Sequence, residues 1–361
     1  MELQYCPQWE KIKESFNRVW ARENHERCII QVTSMKPGHA EYPKCPERVE
    51  DRWLDFDYIR AVNEWRLDSI YYQGEAFPHW HANYPGWDFI PSYFGAPFYL
   101  GEDTGWHEHL MQEGELSDYN VKDHLTIKPD NKWWLFSQKM HKFSSDCAKG
   151  RAIPGTQAIG GTGDILAAMR STNQLLYDVV DCPEVVREFE LHIIQQWMNV
   201  YDVLYGITRE NAEGSTNFMG VWGPGKCYIT SNDFSYMISP EMYEEIFLPA
   251  LLKQLDYLDQ TIYHVDGEGA FRHVDLLCSI PKITGLQILP GAGKPSPLHY
   301  MEYLKKVQKA GKCLHISIPA EEVGIALDNL SSRGLIIQTG VSTPQEADDL
   351  VELCKKRSRF I

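Results

Sequence analysis

What this sequence lacks narrows its class before any motif is considered. No stretch approaches the roughly 20 consecutive apolar residues a helix needs to cross a bilayer, because charges or prolines interrupt every candidate. The opening segment MELQYCPQWEKIKESFNRVW holds no continuous hydrophobic region and no small-residue cleavage site, which argues against secretion. The nine cysteines are odd in number, scattered, and never arranged as C-x-x-C, so they read as reduced thiols of a cytoplasmic protein. Lys and Arg (35) are outnumbered by Asp and Glu (50), and the net charge of -15 repels phosphate backbones. Nucleic acid is thereby excluded as a partner, while a local basic pocket stays open. Two phosphate-binding fingerprints are missing: Gly160-Gly-Thr-Gly163 does not fit G-x-G-x-x-G, and no G-x-x-x-x-G-K-[ST] occurs. No low-complexity tract or Ser/Pro linker divides the chain, so residues 1–361 read as a single domain.

What is present is clearest in the C-terminal third, where short β-branched runs alternate four times with amphipathic stretches. Thr261–Asp266, Gly285–Leu289, Cys313–Ile318 and Leu335–Thr339 have strand character. The segments after them place apolar residues at helical spacing, for example Val323, Ala326, Leu327 and Leu330. Such βα repetition means a parallel sheet covered on both faces, either open or closed into a barrel. With the dinucleotide fingerprint absent, the α/β pattern favours a TIM (β/α)8 barrel. Ser239-Pro240-Glu241 is a helix start with a serine cap and proline in the first turn, and a helix is expected from there to about Leu258. Further helices are expected over Trp9–Trp20, as an N-terminal extension, and from Pro183 to about Tyr205. Residues 76–135 are rich in aromatic residues, Pro, Gly and His and lack a sustained period, which predicts a long βα-loop insertion forming a lid over the active-site mouth.

Barrel enzymes carry their chemistry at the C-terminal strand ends. His264 and Asp266 are two apart on one strand and so share a face. They suit a metal site, an acid/base pair in which the carboxylate orients the imidazole, or a hydrogen-bonded structural pair. Glu75 and Glu213 read as strand-end carboxylates able to serve as general base or ligand, or else as solvated loop residues. Trp80, His81, Trp87, Trp106, Trp222 and Gln287 are the expected substrate contacts, with Tyr84, Tyr93 and Phe94 completing an aromatic wall or, alternatively, a satellite hydrophobic cluster. His79-Trp-His81 and Trp106-His-Glu-His109 have the look of ligand clusters, although short repeats of this kind are commonly just solvated. Asp164 and Arg170 suit either an anion site or an ordinary helix cap and its surroundings.

Three stretches resemble the uroporphyrinogen decarboxylase superfamily, which includes the porphyrinogen decarboxylases and the cobalamin-linked methyltransferases. They are Ser239-Pro-Glu-Met-Tyr-Glu-Glu-Ile-Phe-Leu-Pro249, then Ile262-Tyr-His-Val-Asp-Gly267 with Gly285-Leu-Gln-Ile-Leu-Pro290, and finally Gly334-Leu-Ile-Ile-Gln-Thr-Gly340 with Thr343-Pro344. Weaker similarity begins near Trp9, and the resemblance is most specific after Asn211. It implies a (β/α)8 barrel and, most directly, methyl transfer between a small-molecule substrate and a corrinoid protein or folate. The alternatives are a decarboxylase or lyase acting on a small carboxylic acid, and a non-catalytic barrel holding an aromatic or carbohydrate ligand. The arginine-rich segment of the porphyrinogen decarboxylases is replaced by Cys28-Ile-Ile-Gln-Val-Thr-Ser-Met-Lys36, and their catalytic aspartate by Glu75. The first change argues against porphyrinogen decarboxylation itself; the second keeps a carboxylate, one methylene longer, and it is on this that the decarboxylase alternative leans. Where zinc methyltransferases of the superfamily carry His-x-Cys, this chain has His264-x-Asp266 and no cysteine near the last strand. The site is therefore expected to suit zinc or another divalent metal through nitrogen and oxygen rather than thiolate.

Overall fold

The computed structural model describes residues 2–82 and 89–361. In chain order the strands are β1 (Ile29–Met35), β2 (Ile70–Gly74), β3 (His79–Trp80), β4 (Phe98–Leu100), β5 (Gly105–His107), β6 (Ile153–Pro154), β7 (Ser215–Thr216), β8 (Trp222–Gly223), β9 (Cys227–Ser231), β10 (Gln260–Asp266), β11 (Gly285–Leu289), β12 (Cys313–Ser317) and β13 (Leu335–Gly340). Seven of them form one sheet in the order β2-β1-β13-β12-β11-β10-β9. Every pairing in it is parallel except that of β1 with β2. Beyond β9 the Cys227 N–H donates to the Ser215 hydroxyl beside β7 at 2.8 Å, and the Thr156 N–H reaches the Thr216 carbonyl at 3.2 Å. β6 in turn pairs in parallel with β3.

The four C-terminal strands lie where their β-branched runs predict. One sheet face carries Val265, Leu286, Ile288, Leu314, Ile316 and Ile337 into the main apolar core. There they meet helices such as Val323–Asn329 and Pro344–Arg357, whose Val323, Ala326, Leu327 and Leu350 belong to the same cluster. The helix expected from Ser239 starts with that hydroxyl accepting the Met242 N–H at 3.2 Å and reaches Tyr257, with one π turn at Tyr243–Phe247. The helix from Pro183 continues past Tyr205 to Ala212. Nothing between Gly206 and Ala212 breaks it, and it stops only where Glu213 takes up a left-handed conformation (φ 48°) before Gly214. Among the described residues, no helix is long and apolar enough to cross a membrane.

The opposite sheet face is polar in the middle and apolar at its foot. The register sets Ser231, His264, Gln287 and His315 in one row across β9 to β12, with Gln31 beside Gln338 on the same face. At the N-terminal ends of the strands, Ile29, Ile229, Ile262 and Ile336 pack against Trp9, Ile12 and Phe16 of the helix Trp9–Trp20, which plugs the foot. The turn joining β7 to β8 enters from above: Gln31 donates to the Gly220 carbonyl at 2.9 Å and Gln338 to the Met219 carbonyl at 2.7 Å.

The described residues of the segment 76–135 carry more regular structure than its lack of period suggests. The segment contains β3, the helix Ile90–Phe94 and the β4–β5 hairpin. Phe89, Tyr93 and Phe94 are buried in the main core rather than held over a cavity, and Phe89 meets Phe98 and Trp133 edge-on.

Candidate functional site

Two adjoining cavities, each of about 650 Å³, open on the polar face and share Met219 as part of their walls. The first chemistry lies in the cavity at the C-terminal end of β10. His264 is buried there and Asp266 is about one-third exposed. Asp233, delivered by the short helical turn Asp233–Met237 immediately after β9, completes a group whose donor atoms all lie within 4.8 Å of one another.

The internal geometry separates the roles proposed for these residues. His264 Nε2 stands 4.0 Å from Asp266 Oδ2, too far for a hydrogen bond. Asp266 therefore does not orient the imidazole. Gln287 does, its Oε1 lying 2.5 Å from His264 Nδ1. An amide oxygen only accepts, so Nδ1 donates to it, and Nε2 is the ring atom on the side of Asp266. Gln287 thus stands behind His264 and is not among the residues that line either cavity. One oxygen each of Asp233 and Asp266 is buried without a hydrogen-bond partner. Burial, reinforced by the charge of Asp266 and opposed by His264, raises the Asp233 carboxyl above its ordinary range. Two ligands of one zinc-like ion, each bonded at about 2.0–2.2 Å, stand at most roughly 4.4 Å apart; the 4.0 Å gap between His264 and Asp266 falls inside that limit.

The glycine-rich run before Asp164 proves to be a packing device. A Cβ on Gly161 would sit 2.1 Å from the Ser231 carbonyl oxygen, and one on Gly163 (φ 82°) would meet the Asn232 side chain at 2.5 Å. Lacking side chains, these residues lie against the end of β9 and bring Asp164 to the cavity wall. There its carboxylate accepts from the Phe234 N–H at 2.9 Å and the Ser231 hydroxyl at 3.2 Å. The turn is fixed from behind by Glu190, fully buried in the long helix, which accepts the Gly163 N–H at 2.9 Å.

Burial pushes the Glu190 carboxyl up to about 8, with the Gly163 hydrogen bond opposing the shift. In the unfolded chain a glutamate titrates near 4.3, at roughly its model value. The stability of the wild-type fold is then complete below the unfolded value and declines as pH rises toward about 8. Glu190→Gln removes that dependence, so the variant should gain on the wild type by a few kcal/mol, to order of magnitude, between pH about 5 and about 8. Urea unfolding at the two pH values measures this, and parallel curves for the two proteins would refute a buried neutral carboxyl.

The remaining expected site residues do not gather at this mouth. Because β2 runs antiparallel to β1, with Gln31 opposite Gly74 and Met35 opposite Ile70, it delivers Glu75 to the foot. Its backbone N–H donates there to the Ile30 carbonyl at 3.0 Å. The buried carboxylate receives two 2.7 Å bonds from Arg27 and one from the Ile30 N–H. Glu213 precedes β7 rather than ending a strand, and it pairs with Lys13 and the Trp9 indole of the plugging helix at 2.5 and 3.1 Å. Neither carboxylate joins the group at His264.

Trp222 also lies at the foot, its indole donating to the Ala212 carbonyl and its ring 5.7 Å from that of Trp9. Trp80 alternates with its chain neighbours in this extended stretch: it is buried beside Leu67, Ala148 and Ala152, while His79 and His81 line the second cavity. Trp106 is more than half exposed, stacked on Tyr99 across the β4–β5 hairpin. Trp87 and Tyr84 fall outside the described residues. Arg170 is buried in an ion pair with Asp178 (2.7 and 3.0 Å) and bonds to backbone carbonyls, so it supports the chain between Met111 and Gly114. Of the two histidine clusters, His109 reaches the wall of the cavity at His264.

No family model matches the sequence, and no curated protein matches it. Among solved structures the fold is similar to that of a methyltransferase from Methanosarcina mazei, with a TM-score of 0.60 over 96% of this chain and 98% of that one, at 9% sequence identity. The likeness is one of architecture along nearly the whole of both chains: a mixed α/β structure built on a mostly parallel sheet.

Proposed function

We propose that this chain is a metal-assisted methyltransferase of (β/α)8-barrel type, moving a methyl group between a small substrate and a corrinoid protein or folate. The observation that carries the reading is the group Asp233, His264 and Asp266 at the C-terminal end of the sheet, facing a cavity. The hydrogen bonds from β9 through β7 to β6 and β3 support a sheet curling toward closure, with residues 1–361 as one domain. His109, from the 76–135 insertion, supports a lid that reaches the mouth. The architectural likeness to a methyltransferase and the sequence resemblance to the cobalamin-linked branch point the same way.

The residues fit a divalent cation. Two buried carboxylate oxygens lack partners, and one imidazole with two carboxylates, without thiolate, suits zinc or a harder ion. Such an ion, when bound, supplies Lewis-acid polarisation of a substrate heteroatom. The chain's own residues do the rest. Gln287 locks the tautomer and rotation of His264, and Met219, Phe234 and Leu289 wall the site with apolar surface that limits water. Asp164 holds the turn after β9 and thereby the position of Asp233. The carboxy-lyase alternative leaned on Glu75, whose place at the foot beside Arg27 withdraws that support.

The test uses protein stripped with a chelator and then reloaded with zinc or manganese, given methylcobalamin and methyltetrahydrofolate as donors and small thiols as acceptors. Transfer restored by reloading is expected. Reloaded protein that consumes neither donor would sink the methyltransferase reading.

A further inference from the structure

The second cavity contains a cation with no counter-ion among the described residues. Arg66 lies near the end of the helix Phe56–Ser69, and its side chain lines that cavity. Its Nη1 is buried and has no hydrogen-bond partner, and among the described residues no carboxylate forms an ion pair with it. A guanidinium cannot escape this by losing its proton, and buried charges in folded proteins are normally paired because desolvation without compensation is expensive. Arg170, which is buried, and Arg27, which is partly buried, each hold a carboxylate in two-point contact. Arg66 is built differently.

From this we infer that Arg66 is the anchor of a carboxylate-binding subsite, which holds the acid group of a small monocarboxylate ligand in the second cavity. The surroundings favour one negative charge over two. Burial, with Arg66 assisting, pushes the His79 imidazole down to about 3 and holds His81 well below its ordinary value. Burial likewise raises the Tyr72 phenol to about 12. All three neighbours are neutral, so the cavity presents one positive charge, and the planar fork of arginine matches a carboxylate at two points. The Thr339 hydroxyl, also buried and without a partner among the described residues, is a further donor in the lining of the same cavity.

His79 fits here because Gly155 has no side chain: a Cβ there would fall 1.6 Å from His79 Nε2. His79 and His81 therefore form a close-packed neutral wall, their rings 4.2 Å apart. Met219 borders both cavities. That the carboxylate belongs to the substrate whose reacting group enters the His264 side rests on the function proposed above. The subsite itself does not.

The experiment uses the full chain freed of divalent metal, so that no ion can capture the acid, and titrates it with propionate and with inorganic phosphate by calorimetry and thermal shift. Propionate should bind the wild type and His264→Ala alike, and bind Arg66→Met at least about tenfold more weakly, the scale of one charge-assisted contact. In buffer without carboxylate, Arg66→Met should melt no lower than the wild type, because it removes an unpaired buried charge. A merely structural arginine would make it melt lower. Should Arg66→Met fail to fold, Arg66→Lys, which keeps the charge and loses the fork, should still bind propionate less well. Unchanged propionate affinity in the folded Arg66 variants, absence of propionate binding to the wild type, or tighter binding of phosphate than propionate would each overturn the assignment. Retained propionate binding in a protein that takes up no metal would defeat the metal reading alone.

Discussion

Replacing His264 with alanine should reduce the affinity for zinc or manganese by more than about 100-fold, beyond the roughly 10–100-fold that loss of an outer-sphere partner brings. Asp233→Asn should have a comparable effect. Gln287→Leu should fall within that smaller range, because Gln287 fixes the ring without presenting an atom to the ion. The order follows from the geometry. His264 supplies the one nitrogen donor of the group, and the two carboxylates alone would face each other across a partly desolvated cavity. A competition titration against a fluorescent chelator measures the affinities. Thermal melting gives an independent reading: an ion at 100 times its Kd adds about 2.7 kcal/mol to the wild type and should add nothing measurable to His264→Ala at the same concentration. Equal affinities for wild type and His264→Ala would show that the group holds no ion. A Gln287→Leu protein as deficient as His264→Ala would move Gln287 from a positioning residue to a direct participant.

How much of this was legible in the sequence depends on which physical signal each residue carried. The four C-terminal strands and their helices declared themselves by periodicity, and strand alternation alone put His264 and Asp266 on one face. Asp233 was missed although it follows the same logic. Its strand, Cys227–Ser231, is a five-residue buried run without alternation, and only its tertiary position beside β10 brings it to His264. Glu75 and Glu213 were misplaced for a different reason. A strand's composition carries no direction, and a carboxylate beside a glycine looks the same whether the strand ends or begins there. The aromatic crowding of residues 76–135 was real, but propensity does not say which rings turn inward. Phe89 and Tyr93 went to the core and Trp106 to the surface. Arg66 gave no local signal at all, since an arginine in an amphipathic helix ordinarily lies in solvent. That its Nη1 finds no partner among the described residues becomes visible only in the folded chain.

The reversal of β2 has the largest consequence for stability. Glu75→Ala should destabilise the fold by about 3–5 kcal/mol, the range found when one member of a buried ion pair is removed, and should leave metal affinity unchanged. The side chains of Arg27 and Glu75 are only 16% and 6% exposed. Truncating the acid leaves a desolvated guanidinium facing the empty place, and frees the Ile30 N–H that the same carboxylate accepts. The damage lies in the stranded charge rather than in the lost contact, so the double variant Arg27→Met with Glu75→Met should unfold at higher urea than Glu75→Ala alone, despite carrying two substitutions. Glu75→Gln, which preserves an acceptor for Arg27 and Ile30 but not the charge, should fall between wild type and Glu75→Ala. A catalytic carboxylate at the mouth would behave in the opposite way, with turnover collapsing while the unfolding midpoint stayed put. Measuring both quantities on Glu75→Gln therefore tests whether the antiparallel course of β2 carries this acid to the foot of the sheet, away from the group at His264.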